Sequence, residues 1–229
     1  MTDHKLEAAK AASTLVCAGQ TIGLGAGTTI AHLVNIIAQD KELAGSLIFT
    51  SSSFKTTQLL SRYGLRVQSP ALLSHIDIYF DGCDQFDSEL NALKSGGGIH
   101  TSEKVLASMA SEFILLGDDT KFEPRLTAAH PLVVEILPQA LQIVCDKLKA
   151  LFPTALLNQR MSTQKDGALI SDNGNMLVDV QFTELPAPEN LNTLVKMIPG
   201  VVEHSLFYRL ATQAIISGEP GIRIMMPQR

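Results

Sequence analysis

Cysteine is scarce in this sequence. Cys17, Cys83 and Cys145 are its only three, far apart and without C-x-x-C spacing. That excludes a disulfide framework and a zinc knuckle, and it suits a reducing compartment, so a cytoplasmic protein is expected. Basic clusters are missing too: 18 Lys and Arg stand against 23 Asp and Glu, for a net charge of -5. A nucleic-acid partner is therefore not expected. No apolar run approaches the roughly 20 residues of a membrane span, and the N-terminal MTDHKLEAAK has no apolar core of signal-peptide type. Internal repeats and low-complexity segments are absent. What is present is an ordinary globular composition, 45% hydrophobic and 18% charged over 229 residues, enough for one large domain or two smaller ones.

Strand-like and helix-like stretches alternate along the first half. Residues 4–18 have alanine-rich helix propensity. Thr21–Leu24, Leu47–Thr50, Ile76–Phe80 and Phe113–Leu116 read as buried strands. Helical spacing follows the first of them at Ile30, Leu33, Val34 and Ile37, and the second up to about Tyr63. This order implies a parallel sheet with helices on both faces, and such sheets bind ligands at the carboxyl ends of their strands. After Pro131 the order becomes strand, helix, two strands, helix, strand: Leu132–Ile136, Pro138–Leu151, a strand near Leu156, Met176–Phe182, Asn190–Met197 and a strand from Val201. That is a split α/β pattern of ferredoxin type. The expected fold is α/β: a Rossmann-like parallel-sheet domain over 1–129, completed by 206–229 with strands at Ala214–Ile216 and Ile222–Ile224, and a small α+β domain over 130–205.

Chemistry-bearing residues concentrate between Ile76 and Lys104. Asp81 and Asp84 flank Gly82 and Cys83; then come Lys94, Ser95, Gly96, Gly97 and Gly98, and Glu103 in the first turn of a helix pattern. Charges of both signs beside a glycine run suit a small-molecule reaction site. Each residue also has a plainer reading. Asp-Gly forms turns, an acidic first-turn residue favours the helix dipole, a lysine is commonly a solvated charge, and Cys83 reads as a small packing residue without a partner base. His100 reads as a surface or loop residue. If Glu103 is a base, Asp81 and Asp84 would raise its pKa while Lys94 and the helix N-terminus would lower it. D-G-x-D is half of a calcium loop, but the other ligands are absent at the required spacing. Upstream, Gly25-Ala26-Gly27-Thr28-Thr29 links a strand to a helix. It lacks the third glycine of a dinucleotide fingerprint and the lysine of a P-loop, which leaves a phosphate cradle and a plain tight turn both open. Ser51, Ser52 and Ser53 offer a helix cap or hydroxyls for a ligand.

In combination these motifs resemble the type A ribose-5-phosphate isomerase family. D-G-C-D at Asp81–Asp84 is similar to the family's D-G-A-D, K-S-G-G-G at Lys94–Gly98 to K-G-G-G, and T-S-E-K at Thr101–Lys104 to T/L-R-E-K. Ala26-Gly27-Thr28-Thr29 resembles T-G-S-T. Ser51–Ser53, Lys121, Pro131–Pro138, S-D-N-G-N and I-P-G-V-V at Ile198–Val202 fall in order, so the resemblance spans almost the whole chain. It implies aldose–ketose isomerisation of ribose 5-phosphate to ribulose 5-phosphate in the non-oxidative pentose phosphate pathway, without metal or organic cofactor, in a homodimer or homotetramer. Glu103 is then the base that moves a proton between C1 and C2. Asp81 and Asp84 serve ring opening and hydroxyl proton transfers, and Lys94 stabilises the enediolate. Ala26–Thr29, Gly82, Cys83, Ser95, Gly96, Gly97 and Lys121 hold the phosphate and sugar oxygens. The chain departs from the family at Ala26 (threonine), Ser95 (glycine), Glu7 (a basic residue near the sugar) and Leu210–Gln213 (R-x-A-D, with Arg209 one position away). These departures bear on phosphate binding and leave the acid–base set intact. A contrasting reading is a catalytically weakened sugar-phosphate-binding regulator. The intact carboxylate and lysine set favours the enzyme, because a sensor needs no base.

Overall fold

The structure is a computed structural model and describes residues 3–228. Helix α1 (His4–Ser13) precedes β1 (Thr21–Leu24), α2 (Thr28–Gln39), α3 (Lys41–Ser46), β2 (Ile48–Ser51), α4 (Phe54–Arg62) and β3 (Ile76–Asp81). Two short strands, β4 (Gln85–Phe86) and β5 (Ala92–Leu93), lead to α5 (His100–Met109) and β6 (Ala110–Asp118). The next segment runs β7 (Leu132–Ile136), α6 (Leu141–Leu151), β8 (Leu156–Gln159), β9 (Met176–Gln181), α7 (Pro188–Lys196) and β10 (Val201–His204). Strands β11 (Leu206–Phe207), β12 (Gln213–Gly218) and β13 (Gly221–Met225) close the chain.

A six-stranded sheet ordered β13-β12-β6-β3-β1-β2 forms the centre. Its pairings are parallel except at the β12–β13 hairpin. Strand alternation sends Phe80, Ile114 and Leu116 to one face, where they meet Ala9 and Ala12 of α1, Ile30 and Leu33 of α2 and Leu60 of α4. It sends Tyr79, Phe113 and Leu115 to the other, against Leu106 and Ala107 of α5. From β1 the chain moves outward to β2 and then returns to place β3 on the opposite side of β1. The crevice between the ends of β1 and β3 is thus a topological switch point, where α/β sheets bind ligands.

The second sheet is ordered β10-β7-β9-β8 with antiparallel pairing throughout. Its strand–helix–strand–strand–helix–strand sequence is the expected split α/β unit. Leu132, Val134, Val178 and Val180 pack there against Val144 and Leu148 of α6 and Leu191 and Val195 of α7. A three-stranded sheet, β11-β5-β4, was not foreseen. Two-residue strands carry no periodicity, and only long-range pairing defines them.

Other expectations shift at their edges. The first helix stops at Ser13 rather than 18; Thr14 caps it, and Gly19 turns at φ +84. The short helix α3, capped by the Asp40 side chain, has no counterpart in the sequence reading. His100, expected at the surface or in a loop, is wholly buried, with Nε2 3.4 Å from the Glu203 carbonyl oxygen. Strand β10 covers it, a contact made across more than a hundred residues. No helix among the described residues is long and apolar enough to cross a membrane.

Candidate active site

A cleft of about 360 Å³ opens at the switch point. Of the residues singled out in the sequence, Ala26, Gly27, Thr28, Thr29, Asp81, Gly82, Cys83, Asp84, Lys94, Gly96, Gly97, Glu103 and Lys121 line it. Five segments bring them together: the β1–α2 loop, the end of β3, the turn after β5, the first turn of α5 and the short turn after β6.

Asp81 ends β3 and is 1% exposed. Its Oδ1 accepts hydrogen bonds from the backbone N–H of Gly82 at 2.8 Å and of Ala26 at 3.2 Å. Its Oδ2 accepts from the Tyr79 hydroxyl at 2.5 Å and lies 2.9 Å from Lys94 Nζ. A Cβ on Gly25 would sit 1.8 Å from Asp81 Oδ1, so a side chain there must displace the carboxylate or the loop. Gly27 caps α2 at φ +103, a left-handed conformation that also favours glycine. The cap presents the open end of α2 to the cleft, where unpaired N–H groups and the helix dipole suit an anion.

Lys94 follows β5, and its backbone N–H donates to the Ser205 carbonyl at 3.0 Å. Its ammonium donates to the Gly82 carbonyl, lies 2.9 Å from Asp81 and 3.4 Å from Glu103 Oε1, and faces the Phe207 ring. Burial alone would lower the pKa of this ammonium. The charges of Asp81 and Glu103 outweigh that and hold it protonated above its usual range. Burial is also the main reason why the Glu103 carboxyl is raised to about 8; the Asp81 charge adds to it and the Lys94 ammonium opposes it. Asp84 Oδ2 accepts from the backbone N–H of Ser95 at 2.6 Å and of Gly96 at 2.9 Å, which folds the glycine run over the carboxylate.

Cys83 stays a thiol, because burial pushes it up to about 12. Ser95 needs correction. Its hydroxyl donates to the Pro131 carbonyl at 2.6 Å, and the side chain is buried toward the antiparallel sheet rather than lining the cleft. Among the serines, Ser53 caps α4 by accepting from Thr56 N–H at 3.3 Å, and Ser52 Oγ is 3.3 Å from the Tyr79 hydroxyl. Arg209, beside the altered C-terminal segment, extends toward Glu89 at 3.5 Å and does not line the cleft.

Three contributors were missed. Tyr79 lies two residues before Asp81 on the same strand face, a signal that alternation could have supplied. Burial, then the neighbouring carboxylates Asp81 and Glu103, raise its phenol well above the usual value, so it remains a donor. Lys5 reaches the cleft from α1, whose N-terminus Asp3 caps. It supplies a basic group from the helix on which Glu7 pairs instead with Lys10 at 2.8 Å. Asp118 lines the cleft from the end of β6.

The family model for ribose 5-phosphate isomerase A (phosphoriboisomerase A) matches residues 48–221. The chain belongs to the ribose 5-phosphate isomerase A family. It is 35% identical to a ribose-5-phosphate isomerase A of Thermosynechococcus vestitus over 94% of this chain and 93% of the relative. With a relative of the same name from Methanosarcina acetivorans it shares 34% identity over 99% and 95%. The structure of ribose 5-phosphate isomerase A from Methanocaldococcus jannaschii superposes with a TM-score of 0.90 at 31% identity, covering 98% of both chains. A D-ribose-5-phosphate isomerase solved in complex with phospho-erythronic acid gives 0.91 at 28% identity, covering 99% of this chain and 100% of that one. The central parallel sheet with a separate small antiparallel sheet is shared with these structures.

Proposed function

We propose that this protein interconverts D-ribose 5-phosphate and D-ribulose 5-phosphate through an enediolate, as its family membership and its cleft together support. The observation that carries the reading is the buried Glu103–Lys94–Asp81 set, which lines one cleft with Gly96 and Gly97. A C–H beside a carbonyl is weakly acidic, so its removal needs a base and a cation waiting for the oxyanion. Glu103, raised to about 8, exchanges a proton readily near neutral pH. It takes the proton from C2 and returns it to C1 on the same face. Lys94 stabilises the developing oxyanion; a fixed donor in a water-poor cleft contributes about 3 kcal/mol. Asp81 and Asp84 serve ring opening and hydroxyl proton transfer. The phosphate lies at the Ala26–Thr29 loop with Lys121, and its binding energy positions the reacting end of the sugar.

No cofactor has a part in this scheme. We assign residues 1–129 with 206–229 to the catalytic unit and 130–205 to a second unit with its own apolar core. We further assign the protein to the cytoplasm, the non-oxidative pentose phosphate pathway, and a homodimer or homotetramer. The test is to incubate pure protein with ribose 5-phosphate and EDTA and follow ribulose 5-phosphate. Turnover is expected to persist. A lack of turnover, or activity restored only by a divalent ion, contradicts the proposal.

A further inference from the structure

The glycine run is held from two sides. Toward the cleft, Asp84 Oδ2 takes the N–H groups of Ser95 and Gly96. From the antiparallel sheet, Arg160 takes the carbonyls: Nη2 donates to Ser95 O, and Nη1 to Gly96 O at 3.2 Å. Its Nε donates to Asp179 Oδ1 at 2.7 Å, which fixes the plane of the guanidinium and balances its charge. The backbone of Arg160 is tied as well, its N–H to Leu177 O and its C=O to Leu169 N–H, both at 2.9 Å. Arg160 does not line the cleft. Its contact with the cleft runs through the loop it grips.

The peptide between Ser95 and Gly96 bridges the two charges: its carbonyl accepts from Arg160 and its N–H donates to Asp84. A cation on the oxygen polarises the amide and strengthens the N–H as a donor. The next peptide is held in the same way at its oxygen. In a trans peptide the N–H points opposite to the C=O, so the grip on Gly96 O turns the Gly97 N–H away from Arg160. Gly96 and Gly97 both line the cleft, and among the described residues the Gly97 N–H has no protein acceptor. Gly98 approaches closely from the same side: a Cβ there would sit 2.9 Å from Leu177 Cδ1 and 3.8 Å from Arg160 Nη1.

We propose that Arg160 is a positioning residue for the isomerisation: by holding the carbonyls of Ser95 and Gly96 it aims the Gly97 N–H at a substrate oxygen and fixes Asp84. The inference rests on the isomerase reading of the cleft. Lysine at 160 keeps the charge beside Asp179 but cannot grip two carbonyls in one plane.

The test compares wild type, Arg160→Lys and Arg160→Ala in melting temperature, in kcat and KM for ribose 5-phosphate, and in Kd for phospho-erythronic acid by calorimetry. Arg160→Lys is expected to fold and to melt only a few degrees below the wild type. Loss of one or two charge-assisted contacts should cut its kcat/KM about ten- to a hundredfold and weaken phospho-erythronic acid about tenfold. Millimolar guanidinium should restore part of both quantities in Arg160→Ala. Wild-type kcat/KM and Kd in Arg160→Lys overturn the proposal, whether or not Arg160→Ala folds. So do losses that follow the melting temperature alone and do not respond to guanidinium. A wild type without turnover defeats the isomerase reading instead, and the Kd for phospho-erythronic acid still reads Arg160.

Discussion

Asp81 and Glu103 share one ammonium: Lys94 Nζ lies 2.9 Å from Asp81 Oδ2 and 3.4 Å from Glu103 Oε1. Two buried carboxylates around one cation leave a net negative charge when both are ionised. The cluster therefore favours holding a proton near neutral pH: burial and the Asp81 charge raise the Glu103 carboxyl to about 8.

The pH dependence follows. As the proposed base, Glu103 acts only when ionised, so kcat/KM in the forward direction should rise with pH through about 8 and level off above it. Lys94→Gln removes the opposing cation and should move this limb upward. Stability runs the other way. A carboxyl raised from 4.5 to about 8 on folding favours the protonated folded state. Its contribution is fully present below 4.5 and is lost as the pH rises to about 8. Thermal melts between these limits should show that slope in the wild type and lose it in Glu103→Gln. A flat kcat/KM from pH 6 to 9 contradicts the assignment.

Gly25 is expected to tolerate no side chain. An alanine Cβ would lie 1.8 Å from Asp81 Oδ1. Relieving that overlap must move the β1–α2 loop or the carboxylate, and overpacking of this kind costs about 1–3 kcal/mol. A shift of about 1 Å in a catalytic group lowers turnover about a hundredfold. Denaturant unfolding and steady-state kinetics on Gly25→Ala check both figures. A variant with wild-type stability and kcat would show that the loop adjusts freely.

Much of this arrangement was legible in the chain. The four buried strands announced themselves by apolar runs, and the βαββαβ order of the second sheet by alternation with α6 and α7. Local motifs also placed Asp81, Lys94 and Glu103 near one another. What escaped depends on contacts between distant segments. The Ser95 hydroxyl could have pointed into the cleft, but it is committed to Pro131, 36 residues on. His100 looked exposed because nothing local announces that β10 will cover it. From the sequence, the S-D-N-G-N motif falls in order along the chain; in the fold Ser171, Asn173 and Asn175 all donate to the buried Glu135, which also accepts from Thr101 in the first turn of α5. The basic group that α1 brings to the cleft is Lys5, not the position where the family resemblance placed one.

That geometry decides how the loop departures behave. The Ser95 hydroxyl is engaged elsewhere, so it does not replace the threonine hydroxyl absent at Ala26. Ala26→Thr should therefore lower KM for ribose 5-phosphate in the native background, by up to about tenfold if a charged oxygen accepts the new hydrogen bond. Its kcat should hardly change. Ser95→Gly should reduce stability by about 1 kcal/mol for the lost bond to Pro131 and leave KM unaltered. The double mutant should show additive effects. An effect of Ala26→Thr confined to the Ser95→Gly background would mean that the serine hydroxyl reaches the ligand after all.

The central claim is that Glu103 carries the proton. Its most direct test is kcat for ribose 5-phosphate in Glu103→Gln against wild type, with both proteins folded and EDTA present. Glutamine keeps the shape and removes the base, so kcat should fall at least about a hundredfold while KM changes far less. A Glu103→Gln enzyme that retains near wild-type kcat contradicts the account.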